Sequence, residues 1–322
     1  MNRFLRLALV ALAASPLVLQ LGAARAADAA SCPPQAAPMS AEVVAAAKRD
    51  ARDHGFLWRI TKDGHSSYLY GTLHAARQDW MFPGPTVVEA MQASDTVALE
   101  LDALDPDIQR RLAASLAAIR NEPLPAPLAR RLEQRRLAEC VDAAAWSSFP
   151  PEFQIASLTL LAGRRDDLDP AYAIDIVLAS MARELGKPVV SLEAPEGQMD
   201  ALQMPTRAET LALVRGGLDD LDAGRARPLL RRIAKAWVDG DYAELSRYTK
   251  WCGCARTAAE RAAMKRLLDD RNPTLAEGID KVHAAGRSVF AAVGSLHLFG
   301  AKGLPALLKR RGYKIEQGDF AR

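Results

Sequence analysis

Short apolar, β-prone runs punctuate a chain whose longer stretches carry helical spacing. Phe56-Leu57-Trp58-Arg59-Ile60 and Ser67-Tyr68-Leu69-Tyr70 flank Lys62-Asp63-Gly64, a turn signal, and together predict a hairpin. The second run leads straight into Gly71-Thr72-Leu73-His74. A helix is expected from about Pro85 to Gln92, with proline at an allowed first-turn position. Thr96 to Asp102 reads as a buried strand ending in the carboxylates Glu100 and Asp102. From Asp107 to about Leu185 the pattern is helical, broken at Pro123-Leu124-Pro125 and Pro150-Pro151. Lys187 to Glu193 gives another short strand closed by a carboxylate. Helices return over 195–285, interrupted near Pro205, Gly240 and Cys252-Gly253-Cys254. Arg287 to Val293 is a strand that stops at Gly294-Ser295-Leu296-His297. A helix from Leu304 to Arg311 and a strand from Tyr313 to Gln317 close the chain. Strands alternating with helices predict an α/β fold with a long helical insertion at about 105–285.

The chain start changes what counts as mature protein. Residues 1–26 open with Arg3 and Arg6, run through an apolar stretch from Leu7 to Leu21, and end in Ala24-Arg25-Ala26. That pattern predicts a signal peptide cleaved after Ala26, hence a periplasmic or secreted protein. Ser15-Pro16 and Gln20 break the apolar stretch, and no later stretch is long enough to span a bilayer, so no integral membrane association is expected. Residues 27–50 are expected to be a flexible lead-in, and 51–322 a single domain. The full chain has 42 basic and 39 acidic residues, but losing Arg3, Arg6 and Arg25 leaves 39 against 39. No global charge argument for nucleic acid or anionic membrane survives. Cys32, Cys140, Cys252 and Cys254 allow three full disulfide pairings in an export compartment. Cys252-Gly253-Cys254 could also be a metal or redox pair, although its spacing is one short of C-x-x-C, which favours a structural disulfide.

The polar residues fall in a telling place. His74, Glu100, Glu193 and His297 each sit at the C-terminal end of an expected strand, the edge along which open α/β sheets bind ligands. Two imidazoles and a carboxylate suit a catalytic divalent metal with an open position for water. A metal there would lower the pKa of bound water and polarise a carbonyl. The glycine three residues before each histidine would let the backbone turn sharply and approach a ligand closely. The other histidines are expected elsewhere: His54 and His65 solvated, His283 on a surface-like helical run. Asp102 reads as a helix N-cap or loop acid, the tryptophans as packing, and Arg130-Arg131 to Arg135-Arg136 as a solvated helix face.

Tyr68-Leu69-Tyr70-Gly71-Thr72-Leu73-His74 and Val97-Ala98-Leu99-Glu100-Leu101-Asp102 resemble the opening of the TraB/PrgY/GumN family, related to the Tiki proteases. Ser191-Leu192-Glu193 with Gln198, Arg271-Asn272, Val293-Gly294-Ser295-Leu296-His297-Leu298 and Gly312-Tyr313 resemble its later blocks. The likeness runs from about Phe56 to Ile315 and implies an EreA/ChaN-like fold with a central mixed, largely parallel sheet. It implies His74, His297 and Glu100 as ligands of a divalent ion (Mn, Co or Zn), with Glu100 alternatively the general base. Arg271 is then a stabiliser of developing negative charge, and Glu193 a catalytic or orienting group. Asp175, in Tyr172-Ala173-Ile174-Asp175, resembles a family segment but reads equally as a buried structural acid. The expected activity is metal-dependent hydrolysis of a peptide bond or another small extracytoplasmic substrate. The alternatives are a non-catalytic binding protein that sequesters a peptide or saccharide, and a metal-independent hydrolase with a histidine base.

Overall fold

The computed structural model describes residues 32–318 apart from Arg256, so the expected signal peptide and its cleavage site lie outside the described residues. Six strands form one sheet: β1 Phe56–Lys62, β2 His65–Thr72, β3 Thr96–Leu99, β4 Val189–Ser191, β5 Val289–Gly294 and β6 Lys314–Gln317. Their spatial order is β4-β3-β5-β2-β1-β6. The first four in that order run parallel, while β1 pairs antiparallel with both β2 and β6. The fold is therefore α/β with a mixed, largely parallel sheet, as expected.

Local sequence explains the key elements. β3 (TVAL) and β5 (VFAAVG) are buried at every position, as suits central parallel strands covered on both faces. In the hairpin, Lys62 pairs with His65 and the two residues between them, Asp63 and Gly64, have φ of 52° and 81°. Two positive φ angles are what a tight primed turn demands, and Asp-Gly supplies them cheaply. The helix Pro85–Gln92 links β2 to β3, its first N–H groups at Thr86 and Val87 accepted by Asp53 at 3.1 and 3.2 Å.

The helical stretch between β3 and β5 is two crossovers separated by β4. Each crossover returns the chain to the same starting edge, so β2, β3, β4 and β5 all end on one side of the sheet. Helix Ala226–Val238 is fastened there by Trp237, which is fully buried and donates its indole N–H to Gly71 O at 2.8 Å. Cys32 is bonded to Cys140 across 108 residues, and Cys252 to Cys254, which settles the pairing and makes the Cys-Gly-Cys segment a disulfide. Among the described residues no helix is long and apolar enough to cross a membrane.

Three expectations are corrected. His283 is not on the surface: its ring is 0% exposed and stacks on His65 at 3.6 Å between centroids. Because Lys62 O can only accept, His283 Nε2–H donates to it at 3.0 Å, leaving Nδ1 to accept from Ser67 Oγ at 2.8 Å. His65 is half-buried under this contact, and His54 is half-buried with its Nδ1 3.1 Å from Val238 O. Arg136 likewise leaves the solvated face and is buried against Glu133 and Val141 O, whereas Arg131 and Arg135 pair with Asp219 and Asp222 at the surface. For the histidines, partners distant in sequence cover a segment that looks polar by itself.

Burial, followed by the neighbouring His65, lowers the His283 pKa, although its bond to Lys62 O opposes this. Folding therefore favours the neutral ring. Stability is intact above the unfolded value of about 6.5 and declines as pH falls below it. Thermal melts at pH 7.5 and pH 5 should show a smaller acid loss in His283→Gln than in the parent chain.

Candidate active site

Four strand ends deliver the site. Beyond β2, the Thr72 hydroxyl donates to Asp175 Oδ1, and His74 Nδ1 lies 2.6 Å from Asp175 Oδ2. Asp175 occupies the first turn of helix Ile174–Glu184, where a carboxylate is favoured. With Nδ1 turned to the carboxylate, His74 Nε2 faces inward and is buried without a hydrogen-bond partner. Burial pulls the His74 pKa down, but the charge and hydrogen bond of Asp175 outweigh it and raise it overall.

The second motif is built the same way. Ser295 Oγ donates to Thr72 O at 2.9 Å and so stitches the two motifs together. His297 Nδ1 donates to Asn272 Oδ1 at 2.6 Å, the amide being oriented by Asn272 Nδ2 on Lys302 O at 2.8 Å. His297 Nε2 thus points inward too, 3.8 Å from Glu100 Oε1. Its ring is 2% exposed, and burial pushes its pKa down to about 3.

Between the histidines lies a clamp of charges. Arg271, 7% exposed, follows the π-helical turn Lys265–Asp269 and precedes helix Asn272–Ala284. Its Nη2 bonds Glu100 Oε2 at 2.5 Å and also Glu193 Oε1, its Nε bonds Glu193 Oε2 at 3.0 Å, and its Nη1 donates to His297 Nε2 at 3.3 Å. Gln198 Nε2 braces both carboxylates, at 2.9 Å from Glu193 and 3.4 Å from Glu100. Gly294 N donates to Glu100 Oε1 at 2.6 Å.

The two carboxylates respond differently. Burial pushes Glu100 up, yet nearby positive charge and the Gly294 N–H more than offset it, leaving it well below the usual carboxylate range. His297, Arg271 and His74 all contribute to that stabilisation, and Arg271 does so in direct contact with Glu100 Oε2. Glu193 is raised by burial and by the charge of Glu100, against the pull of Arg271. Opposite shifts in a carboxylate pair mark the more ionised member, here Glu100.

All five expected site residues, His74, Glu100, Glu193, Arg271 and His297, are brought together. Asp102 is not among them: its carboxylate pairs with Arg183 at 2.6 Å and holds Leu104 N, while Asp105 caps the following helix. The glycines act differently from expectation. Neither Gly71 nor Gly294 has a positive φ; both are needed for space. A Cβ on Gly71 would stand 2.8 Å from Ser295 Oγ, and one on Gly294 would stand 2.9 Å from His74 Nε2 and 3.2 Å from Glu100 Oε1. Roles for Thr72, Ser295 and Asn272 were not foreseen. Thr72 and Ser295 lie inside the two G-x-x-H motifs and Asn272 beside Arg271, while Asp175 resembles a family segment and reads equally as a buried structural acid.

The donor set fits a divalent ion in kind. Two imidazoles are held at Nδ1 by oxygens so that each Nε2 turns inward, the arrangement seen around metal-ligating histidines. The unpartnered, buried His74 Nε2 and Glu100 Oε1 border the same gap above Gly294. As now spaced, however, no group of three His, Cys, Asp or Glu among the described residues is disposed to hold an ion, and Arg271 takes up part of the ground. The family model for TraB/PrgY/gumN matches residues 56–317, most of the chain. Neither a curated protein nor a solved structure matches it.

Replacing Arg271 with Leu leaves two buried carboxylates facing each other, and should cost about 3–5 kcal/mol in urea unfolding at pH 7.5. Arg271→Lys should recover only part of that, since one ammonium cannot reproduce the fork. Gly294→Ala should cost about 1–3 kcal/mol by overpacking and abolish whatever His74 Nε2 and Glu100 Oε1 bind, read by ligand or metal titration of the folded variant.

Proposed function

The chain belongs to the TraB/PrgY/gumN family, and on that premise we propose that it is an exported metal-dependent hydrolase that cleaves a peptide (amide) bond with activated water. The observation that carries this reading is the buried, unpartnered His74 Nε2 aimed at the gap it shares with Glu100 Oε1. His74, His297 and Glu100 would hold the ion, Mn, Co or Zn. When bound, such an ion supplies a water of lowered pKa and polarises the carbonyl under attack.

The chain's own groups do the rest. Asp175 and Asn272 keep both imidazoles turned inward, and Asp175 also raises the basicity of His74. Glu100 is split between partners: Oε2 is held by Arg271, and Oε1 lies on the side of the imidazoles, the disposition a ligand or general base needs. The Arg271 guanidinium borders the same cleft and can draw in the negative charge that develops as an acyl carbon is attacked. Glu193 and Gln198 do not reach outward; they fix the plane of that guanidinium.

One observation favours a second reading. His74 with Asp175 forms an oriented imidazole–carboxylate pair, and Arg271 already places a positive charge at Glu100. Together they could activate water without a metal, as in a histidine-base hydrolase.

The test is metal content and turnover of a peptide library by the purified mature protein, with Mn, Co and Zn supplied in turn. Expected are a bound divalent ion, inhibition by chelator reversed on metal addition, and losses of about 10²-fold or more in kcat/KM for His74→Ala and His297→Ala. Chelator-insensitive turnover that still disappears in His74→Ala would favour the second reading instead. Peptide or saccharide binding with no product under any of the three metals would make the chain a sequestering protein and overturn both.

A further inference from the structure

Two kinds of residue line the cleft beside the charge clamp: His74, Arg271, Gly294 and His297 of the site, and the apolar Leu160, Leu168, Leu230, Ile233, Ala234 and Leu268. Its volume is about 90 Å³. That is smaller than a cavity of roughly 150 Å³ that accommodates benzene. That volume covers polar and apolar lining together, so the space beside the site is no larger than one branched aliphatic side chain and too small for an indole.

The apolar wall is held in register with the polar groups of the site. Leu230, Ile233 and Ala234 are spaced i, i+3, i+4 and so share one face of helix Ala226–Val238. Trp237, one turn further on, anchors that helix to Gly71 O, three residues before His74. Leu268 sits one turn before Arg271, in the stretch whose Leu267 carbonyl accepts from the guanidinium at 3.1 Å. Both walls are thereby tied to groups of the site. Those six side chains are all apolar, so a charged group packed against them would be desolvated without a partner.

We propose that this apolar wall forms a specificity pocket for a single aliphatic side chain, of leucine or isoleucine size, on the substrate residue flanking the bond presented to His74 and Arg271. Ile233 and Ala234 set its width. The proposal rests on the reading of the polar groups as a substrate site, and extends it to substrate class.

Two measurements separate the pocket from the chemistry. Binding of N-acetyl-X-methylamides (X = Gly, Leu, Asp, Lys, Trp) is followed by saturation-transfer NMR, and turnover of an equimolar peptide set varied at one position is followed by mass spectrometry. Leucine should exceed glycine by about tenfold or more in binding or kcat/KM, with aspartate and lysine lower still. Ala234→Leu should narrow the pocket and shift preference from leucine towards glycine and alanine. Ile233→Ala should widen it towards phenylalanine, and serves if Ala234→Leu does not fold. Leucine-selective binding without any product leaves the pocket standing and sinks the hydrolase. Turnover indifferent to the varied residue, equal binding of the leucine and aspartate amides, no binding of either, or a preference unmoved by the folded variants, overturns the pocket.

Discussion

One buried guanidinium governs the arrangement of this molecule. Arg271 is bonded to the carboxylates that end β3 and β4 and to the histidine that follows β5. A buried charge is tolerable only when paired and hydrogen-bonded, and removing one partner leaves an uncompensated charge in the interior. The crossover helices have to deliver Arg271 to this one point, and the strand ends have to present acceptors to it. The relative placement of Glu100, Glu193 and His297 is thereby a condition of folding as well as of chemistry.

The two G-x-x-H motifs solve one problem twice. In each, the histidine has Nδ1 tied to an oxygen from a neighbouring helix, Asp175 in one case and Asn272 in the other. In each, the hydroxyl residue after the glycine makes a cross-link, Thr72 to Asp175 and Ser295 to Thr72 O. The glycines matter for the volume they leave empty. A methyl group on Gly294 would crowd His74 Nε2 and Glu100 Oε1, the two atoms that the clamp and the helices aim at one another's neighbourhood. Asp175 and Arg271 also tune these atoms in opposite senses, Asp175 favouring positive charge on His74 while Arg271 favours negative charge on Glu100.

What could be read from the chain in advance was whatever depends on local pattern. Asp-Gly between β-prone runs announced the hairpin, and unbroken apolar runs announced β3 and β5 with a polar residue waiting just past each end. Because parallel strands share one carboxyl edge, that placement alone brought His74, Glu100, Glu193 and His297 to the same region. What stayed hidden depends on contacts across a hundred residues or more. His283 lies in a polar stretch, and only the tertiary stacking of His65 and Tyr313 and the bonds to Ser67 and Lys62 bury it. Asp175 resembles a family segment yet reads equally as a buried structural acid, because its two partners lie 103 and 101 positions away. The pairing of four cysteines and the apolar wall of the cleft are likewise properties of the folded chain, with no local signature.

The central claim is that His74, Glu100 and His297 form a single binding centre beside Arg271. Its most direct measurement is an anomalous-difference map from crystals of the mature chain grown with Mn²⁺. A peak bounded by His74 Nε2, Glu100 Oε1 and His297 Nε2, absent in crystals of His74→Ala, is the expected result. A map without a peak there, from crystals whose protein hydrolyses peptide in the same Mn²⁺ solution, would contradict it.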